Sequence, residues 1–398
     1  MSLRDELAAT NSAPQAGDYG LPAGWQPSVT YDASGRAEVV SLGTGQPGDE
    51  STWTEEVRAL GVDIPPGWSV RLTHVSHDPG AWVRHAQGEK AVTEPITRRK
   101  YVVEPAGAAS LDIDELISGI GKKRPRVPDP VQGGWAYVHA IADWQVGKTA
   151  YGLTSEDSIQ RILDALDLSV KRVKAEHKRR GVGTIVIAGL SDLCEGVVSQ
   201  KGAVALSSDL GLTEQLRIVR RLLLEHVKAF APLAERVVLA SVPGNHDEPH
   251  RLLGGRPRAD DSFAVDAAVQ VGDALNLAGG YDHVEVVLPD VDDLTVTIEA
   301  EGTIIGMAHG HQFRTGKAHE WWAKQSHARH RIGQAHLLLS GHYHHLRAHE
   351  EAGRLWLQAP TTDPGSPWWD QQNGGQAGNG QVATFLTKEG TWTGLELL

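Results

Sequence analysis

The sequence predicts an α/β (α+β) fold in which a mixed β-sheet or sandwich is flanked by helices and preceded by a small α+β module. From Trp135 onward, short apolar runs alternate with amphipathic helical segments, which is typical of a buried sheet with helices on its faces. The later apolar runs follow one another without helices between them, so we expect mixed pairing and a second sheet layer. The 398 residues also exceed what one core usually holds.

Composition divides the chain into four predicted segments. The first is rich in Gly, Pro, Ala and Ser, and the third carries several prolines and the basic run from Lys122 to Arg126, so both are expected to lack a packed core. The second has a helical pattern at 51–60, strand patterns at 69–74 and 100–103, and Trp68 and Trp82 for a small core. The segments are a disordered or extended N-terminus at 1–35, an α+β module of unknown role at 36–106, a linker at 107–134 and the main domain at 135–398.

The pattern of apolar residues places the elements of the main domain. The strongest helix is 155–180, which Thr154 or Ser155 would cap and Gly181 would end. Its apolar face is formed by Ile159, Ile162, Leu163, Leu166, Val170 and Val173. Further helices are predicted at 212–230 and 261–277, strands at 137–142, 184–188, 237–242, 284–288, 294–299, 303–308 and 337–340, and a hairpin at 381–398 that turns at Lys388-Glu389-Gly390.

Charge and cysteine content narrow the class of protein. A net charge of -12 argues against a broad nucleic-acid-binding face, although it is compatible with a local basic groove. The single cysteine, Cys194, excludes an intramolecular disulfide and suits a reducing compartment. No apolar run has membrane-spanning length, and the polar first residues do not resemble a secretory signal. We therefore expect a cytoplasmic protein, in the host cytoplasm if it is phage-encoded, with no membrane partner.

Five short motifs place metal-ligand side chains directly after strand-like runs. Strand tips that converge in this way can build a two-metal hydrolytic site, because such a site needs about four ligands per ion and one group that bridges the ions. Each motif alone has an ordinary structural explanation, such as a turn at Asn245 or a helix cap at Asp143. The motifs are Asp143-Trp144-Gln145, Ser191-Asp192, Gly244-Asn245-His246-Asp247, His309-Gly310-His311 and Gly341-His342-Tyr343-His344.

In this order the motifs resemble the calcineurin-like metallophosphoesterase superfamily, whose signature is D-x-H, G-D-x-x-[DE], G-N-H-[DE], a lone His and G-H-x-H. The matching stretch runs from Asp143 to His344, roughly half of the chain. The resemblance implies a metallophosphoesterase-like fold and two divalent ions: Mn, or else Fe, Zn, Co or Mg. It also implies that His246 faces the substrate and that Asp247 orients its ring. The first ion would be held by Asp143, Gln145, Asp192 and His344, and the second by Asp192, Asn245, His309 and His342, with Asp192 as the bridge.

Two departures from that signature concern the ligands. Gln145 stands where the family usually has His, and a neutral amide oxygen is a weaker ligand, so the first ion is expected to bind loosely or to exchange. Ser191 stands where a Gly precedes the bridging Asp, while Glu195 keeps the D-x-x-E spacing as a supporting acid. Gly147-Lys148-Thr149 resembles the end of a phosphate-binding P-loop, but the upstream glycine that this motif requires is missing.

The histidine-rich stretch contributes three of the predicted ligands. Ten of the 19 histidines lie between His309 and His349. His311 is a candidate substrate contact, with a packed or solvated ring as the alternative. For the others, and for Arg314, Lys317, Arg329 and Arg331, a solvated surface is the preferred interpretation over a cationic face for phosphates.

The substrate remains open among three alternatives. The first is a DNA exonuclease or endonuclease that uses a metal-bridging water as nucleophile. It rests on a looser resemblance of the stretches that begin at Asp143 and Asp192 to phage-encoded exonucleases of the double-strand-break-repair type. That resemblance also implies a partner ATPase. The second is a phosphodiesterase or phosphatase for small nucleotides or phosphoproteins, which fits the acidic charge. The third is a non-catalytic metal-binding module, which only Gln145 favours.

Overall fold

The computed structural model describes residues 27–31, 37–44, 48–87, 90–105, 116, 126–129, 134–199, 201–202, 204, 208–249, 258–367, 370–371 and 382–398. Its contacts divide the chain into an N-terminal unit, Met1–Ser110, and a C-terminal unit, Leu111–Leu398. Most of the predicted N-terminal segment and linker, including Lys122 to Pro125, lies outside the described residues. The predicted segment boundaries at 35, 106 and 134 stay predictions.

The N-terminal unit is an antiparallel sheet with one helix. Its strands are β1 (Ser28–Tyr31), β2 (Ala37–Thr44), β3 (Trp68–Gln87) and β4 (Lys90–Pro105), in the order β1-β2-β4-β3. Helix α1 (Glu50–Ala59) begins where the Asp49 carboxylate accepts a hydrogen bond from the Thr52 amide at 3.2 Å. Val57, Val70 and Tyr101 are buried between helix and sheet. Trp68 packs against this core as predicted, while the side chain of Trp82 lies outside the described residues.

A six-stranded sheet carries the first half of the C-terminal unit. Its strands are β5 (Trp135–Ile141), β6 (Val182–Gly189), β7 (Arg236–Ser241), β8 (Val284–Val287), β14 (Ala383–Lys388) and β15 (Thr391–Leu397), in the order β15-β14-β5-β6-β7-β8. Strands β5 to β8 are parallel, and the β14–β15 hairpin adds to β5 antiparallel. Helices α2 (Ser155–Arg180), α3 (Leu212–Phe230) and α4 (Phe263–Ala278) connect the parallel strands. A capping box of Thr154 and Asp157 begins α2, and Gly181, with φ of 75°, follows its end.

A five-stranded sheet forms the second layer. It contains β9 (Thr295–Ala300), β10 (Thr303–Ala308), β11 (Leu337–Ser340), β12 (Arg347–Glu351) and β13 (Arg354–Gln358), in the order β12-β13-β11-β10-β9. The inner strands β10, β11 and β13 are parallel, and the two edge strands are antiparallel. Helix α5 (Ala318–His327) and a 3-10 turn (Arg331–Gln334) pack on the outer face through Trp322 and Ile332.

The two sheets pack face to face, so the predicted sandwich is confirmed. Val138, Val186 and Val238 point from the first sheet to Ile305 and Leu339 of the second, all of them fully buried. The opposite face of the six-stranded sheet is covered by α2, α3 and α4 in a separate apolar core. The fold is therefore a mixed α/β sandwich flanked by helices, as the alternation of apolar runs and amphipathic segments predicts.

Local patterns predicted most of these elements. Helices α2 and α3 and strands β10 and β11 occupy the predicted residues, and the other predicted elements of the C-terminal unit differ by one or a few positions. In the N-terminal unit β3 and β4 are much longer than predicted, and β1 and β2 were not predicted; in the C-terminal unit α5 was not predicted. The hairpin β12–β13 was not predicted, because β12 is a largely exposed charged strand, Arg-Ala-His-Glu-Glu, without an apolar alternation. No helix in the described part of the chain combines the length and apolar character needed to span a bilayer.

Candidate metal centre

The five predicted motifs follow the carboxyl ends of parallel strands. β5, β6 and β7 precede the first three motifs, and β10 and β11 precede the last two. Backbone hydrogen bonds join the loops: the Asp143 amide donates to the Ser191 carbonyl at 2.9 Å, and the Gly341 amide donates to the His309 carbonyl at 2.8 Å. The topology therefore brings residues from distant parts of the chain to one edge of the sandwich, where ligand sites in open α/β sheets typically lie.

The backbone of these loops is held in the left-handed region. For a non-glycine residue this conformation is uncommon, and it persists where the surrounding structure imposes it, often at ligand sites. Six of the 13 described non-glycine residues with positive φ belong to the first, second and fifth motifs. The values of φ are 51° at Asp143, 42° at Gln145, 76° at Ser191, 50° at Asp192, 73° at His342 and 58° at His344.

Three predicted ligands form a compact group, in which Asp192 and His309 are buried and His342 is partly buried. One donor atom each from Asp192, His309 and His342 lies within 4.8 Å of the others. The Nε2 atom of His309 lies 2.9 Å from Oδ2 of Asp192, while its Nδ1 donates to the Leu190 carbonyl at 2.7 Å. That second bond fixes the tautomer that presents Nε2 as a ligand. We call this group, with Asn245, the second metal position.

An unpartnered buried atom supports a cation at the second metal position. Oδ1 of Asn245 is buried and has no hydrogen-bond partner among the described residues, while the buried Nε2 of His309 is paired with the Asp192 carboxylate at 2.9 Å. Buried polar atoms without partners are costly unless they coordinate an ion or bond to water. One carboxylate, one amide oxygen and two imidazoles form a donor set suited to a transition-metal dication. The residues at this position therefore fit a divalent ion.

The Asp192 carboxylate is fixed by its surroundings. Its Oδ1 accepts a hydrogen bond from the His246 amide at 2.9 Å. Gly244 lies so close that an added Cβ would overlap Oδ1 of Asp192 and would stand 2.8 Å from the Ser191 hydroxyl. The glycine of the third motif is therefore required by the close approach of backbone and carboxylate.

The other predicted ligands lie together with a lysine among them. We call Asp143, Gln145 and His344, which share Asp192 with the first group, the first metal position. Oδ1 of Asp143 lies 3.4 Å from Nε2 of His344, and Oδ2 accepts from the His342 amide at 2.8 Å. The oxygen of Gln145, however, accepts a hydrogen bond from Nζ of Lys148 at 2.6 Å. Asp143 and His344 are therefore neighbours here, whereas the side-chain oxygen of Gln145 is bound by the ammonium group of Lys148.

Close charges perturb the histidines strongly. Burial lowers the pKa of His309, but the charge and hydrogen bond of Asp192, together with the charge of Asp143 and the bond to the Leu190 carbonyl, outweigh burial and raise that pKa to about 9. In the same way Asp363 and Asp143 outweigh burial and raise the pKa of His344 to about 10. Burial and the charge of His309 lower the pKa of His342 to about 4. Because an imidazole ligand must be deprotonated, an ion at either position competes with a proton.

His246 is oriented by Glu195 rather than by Asp247. Nδ1 of His246 donates to the Glu195 carbonyl at 3.1 Å and lies 3.3 Å from Oε2 of the same residue. Burial disfavours the charged ring, but the Glu195 hydrogen bond and the nearby carboxylates outweigh it and raise the pKa of His246. Oδ2 of Asp247 instead accepts from the Ser191 hydroxyl at 2.7 Å, and Oδ1 accepts from the amide and thiol of Cys194, each at 3.2 Å. Asp247 thus braces the loop that carries Asp192.

Neighbouring residues complete the surroundings. The ring of His311 lies beside the second metal position, with its centroid 5.4 Å from that of His309 and 6.3 Å from that of His342. Trp144 is fully buried beneath the first motif and packs 5.3 Å from His226.

Sequence reasoning missed Lys148 and Asp363. Asp363 is buried and forms an ion pair with Lys148, and its Oδ2 lies 3.1 Å from Nδ1 of His344. It follows β13 in a Thr-Thr-Asp-Pro-Gly segment, so the rule that polar residues gather at strand tips applies to it. Strand β13, which precedes Asp363, was not predicted. Lys148 was not considered as a site residue because its P-loop motif is incomplete.

Comparison with known proteins gives distant structural likenesses only. No model of a protein family matches the chain, and neither does any curated protein. A Vps29 complexed with zinc from Entamoeba histolytica aligns with 16% identity and a TM-score of 0.29, over 66% of this chain and 98% of that protein. An archaeal phosphodiesterase aligns with 11% identity and a TM-score of 0.30, over 66% and 99%. A predicted phosphoesterase from Streptococcus pneumoniae aligns with 15% identity and a TM-score of 0.25, over 44% and 80%.

Proposed function

We propose that this protein is a metal-dependent phosphoesterase of the calcineurin-like metallophosphoesterase type that hydrolyses phosphodiester bonds. The observation that supports this most is the second metal position, where Asp192, His309 and His342 place donor atoms within 4.8 Å of one another. The motif order around it, and the left-handed backbone of its loops, favour a functional site over a set of ordinary turns.

Asp192, Asn245, His309 and His342 would hold an ion at the second metal position. Such an ion would supply charge neutralisation for the phosphoryl oxygens and activation of water. Asp192 is braced for this task by the His246 amide, and His309 by the Leu190 carbonyl. These bonds hold the ligand atoms in place before the ion arrives, which lowers the cost of binding it.

His246 serves as the general acid. Its Nδ1 is engaged by Glu195 and its pKa is raised, so that Nε2 can carry a proton to the departing oxygen. The side chain is 12% exposed. Glu195 keeps the ring oriented and stabilises its charged form.

We propose DNA as the substrate, with small nucleotides or phosphoproteins as the alternative. The support is the looser resemblance of the stretches that begin at Asp143 and Asp192 to phage-encoded exonucleases. Arg314 and Lys317 are exposed three and six residues after His311, but Lys317 already pairs with Glu320. The chain's charge of -12 limits any such contact to a local strip. A partner ATPase and an exonuclease activity belong to this same proposal.

One set of assays tests these alternatives. The purified protein is analysed for bound metal and then incubated with Mn and with a phosphomonoester, a small phosphodiester, or single- or double-stranded DNA. The same substrates are given to His246→Ala and to the surface control His330→Ala. The nuclease is supported if the natural protein and His330→Ala both hydrolyse DNA and His246→Ala does not. Hydrolysis of small esters alone supports the alternative substrate class, and no hydrolysis by the metal-loaded protein refutes the enzyme and leaves a metal-binding module.

A further inference from the structure

Lys148 is a largely buried cation inside a site that should hold metal ions. Its side chain is 13% exposed, and its ammonium group pairs with the buried carboxylate of Asp363. The same nitrogen donates to the Gln145 oxygen at 2.6 Å. Lysines are almost never buried unless they are paired, so this arrangement is a specific feature of the site.

The backbone fixes Lys148 in this position. Its amide donates to the Gln145 carbonyl at 2.9 Å, and its backbone pairs with that of Ser208 in an isolated antiparallel β-bridge. Gly147, which precedes it, has φ of 110°, and a Cβ there would approach the Gln215 side chain to 2.6 Å. The tight turn therefore aims the lysine side chain toward Gln145 and Asp363.

Most of the groups that a first ion requires already belong to this network, whereas the buried Oδ1 of Asp143 forms no hydrogen bond within the described residues. The Gln145 oxygen is the weakest of the predicted ligands, and Lys148 takes it. His344 lies between two carboxylates, with Nε2 3.4 Å from Asp143 and Nδ1 3.1 Å from Asp363. A dication that shares the Gln145 oxygen would lie within about 5 Å of the ammonium, where repulsion inside a protein is strong.

We propose that the Lys148 ammonium and a first divalent ion compete for the space between Asp143, Gln145, His344 and Asp363. The chain then holds one ion tightly, at the second metal position, and a second ion only weakly. Lys148 acts as a built-in counter-cation that decides how many ions the site carries. This inference rests on the proposed function, because that function places a first ion beside Asp143.

Metal titration of matched variants tests the competition. Lys148→Met removes the charge at nearly constant length, Lys148→Arg keeps the charge, and Lys171→Met changes a lysine on α2 away from the site. Each of these variants also carries His349→Ala, because the partly exposed group of His319, His349 and Glu351 can itself hold a cation. The protein with His349→Ala alone is called the background protein. Bound Mn is measured by equilibrium dialysis, and the magnetic coupling of neighbouring Mn ions by electron paramagnetic resonance.

One tight ion is expected in the background protein, in Lys148→Arg and in Lys171→Met. Lys148→Met should bind two, with affinity for the weak ion raised about 10- to 100-fold, the range seen when groups around metal ligands are changed, and with a coupled Mn pair. If Lys148→Met does not fold, Lys148→Gln takes its place, since its amide can still donate to Asp363.

Two results overturn the inference while the proposed function stands: two tight ions already in the background protein, or a single ion in the charge-free variants. A background protein that binds no ion tightly refutes the proposed function itself. The two failures are therefore distinguishable in the same titration.

Discussion

Acidification should destabilise this protein through a histidine buried behind the metal loops. His226 of α3 is 1% exposed and packs 5.2 Å from His139 of β5 and 5.3 Å from Trp144. Its Nδ1 donates to the Leu222 carbonyl at 2.8 Å. Burial lowers the pKa of His226 from 6.5 to about 4, against the opposing effects of that carbonyl and of Glu225.

The sign follows from the proton balance. Below pH 6.5 the unfolded chain binds a proton at His226 that the folded chain does not bind until about pH 4, so stability falls as the pH falls through this window. One pKa unit corresponds to about 1.4 kcal/mol, so acidification from about pH 7.5 to about pH 5 should remove roughly 2 kcal/mol from the free energy of unfolding through this residue. Burial also holds the pKa of His139 well below its ordinary value, which adds in the same direction.

Urea unfolding at both pH values measures the effect. His226→Gln keeps a hydrogen-bond donor but cannot titrate, so it should lose roughly 2 kcal/mol less stability on acidification than the natural protein. His330→Gln, which changes an exposed histidine, should behave like the natural protein. EDTA is present throughout, so that metal release does not contribute. Equal losses in the natural protein and His226→Gln would refute the reasoning.

Three further predictions concern the metal centre. Gly244→Ala should weaken Mn binding about 10- to 100-fold, because the new methyl group displaces the Asp192 carboxylate; Gly272→Ala, whose nearest atom is 3.4 Å away, is the control, and equal affinities would contradict this role of the glycine. Asp192→Asn should remove the bound metal altogether, and full metal content by elemental analysis would disprove its place as a shared ligand. His246→Ala should lower kcat about 10²- to 10⁴-fold at unchanged metal content, as expected for a general acid; a loss of metal would make it a ligand instead.

The sequence predicted the parts of this structure that depend on local pattern. Helix α2 begins and ends at the predicted residues, because its capping box and Gly181 specify both ends within the segment itself. The buried strands before Asp192 and Asn245 are apolar runs in the sequence. Because these runs could be recognised, the motif residues that follow them could be placed at strand ends. In the structure Asp192, His309 and His342, from three of these motifs, lie close together.

The parts that were missed depend on contacts between distant residues. Lys148 and Asp363 are 215 positions apart, and no local period relates them. The role of Glu195 beside His246 was missed for a similar reason: Asp247 is the sequence neighbour of His246, yet the turn directs its carboxylate to Ser191 and Cys194. A one-dimensional pattern identifies candidate side chains, whereas their pairing is set by the tertiary path of the loops.

The bond between Cys194 and Asp247 makes the chain's single thiol a natural reporter. Burial and the Asp247 carboxylate raise the pKa of Cys194 well above its ordinary value, so the sulfur stays protonated and shielded from electrophiles. A maleimide dye should therefore label only molecules whose Asp192 loop has opened. The rate of labelling then reports the rate at which this loop opens, and no engineered cysteine is needed.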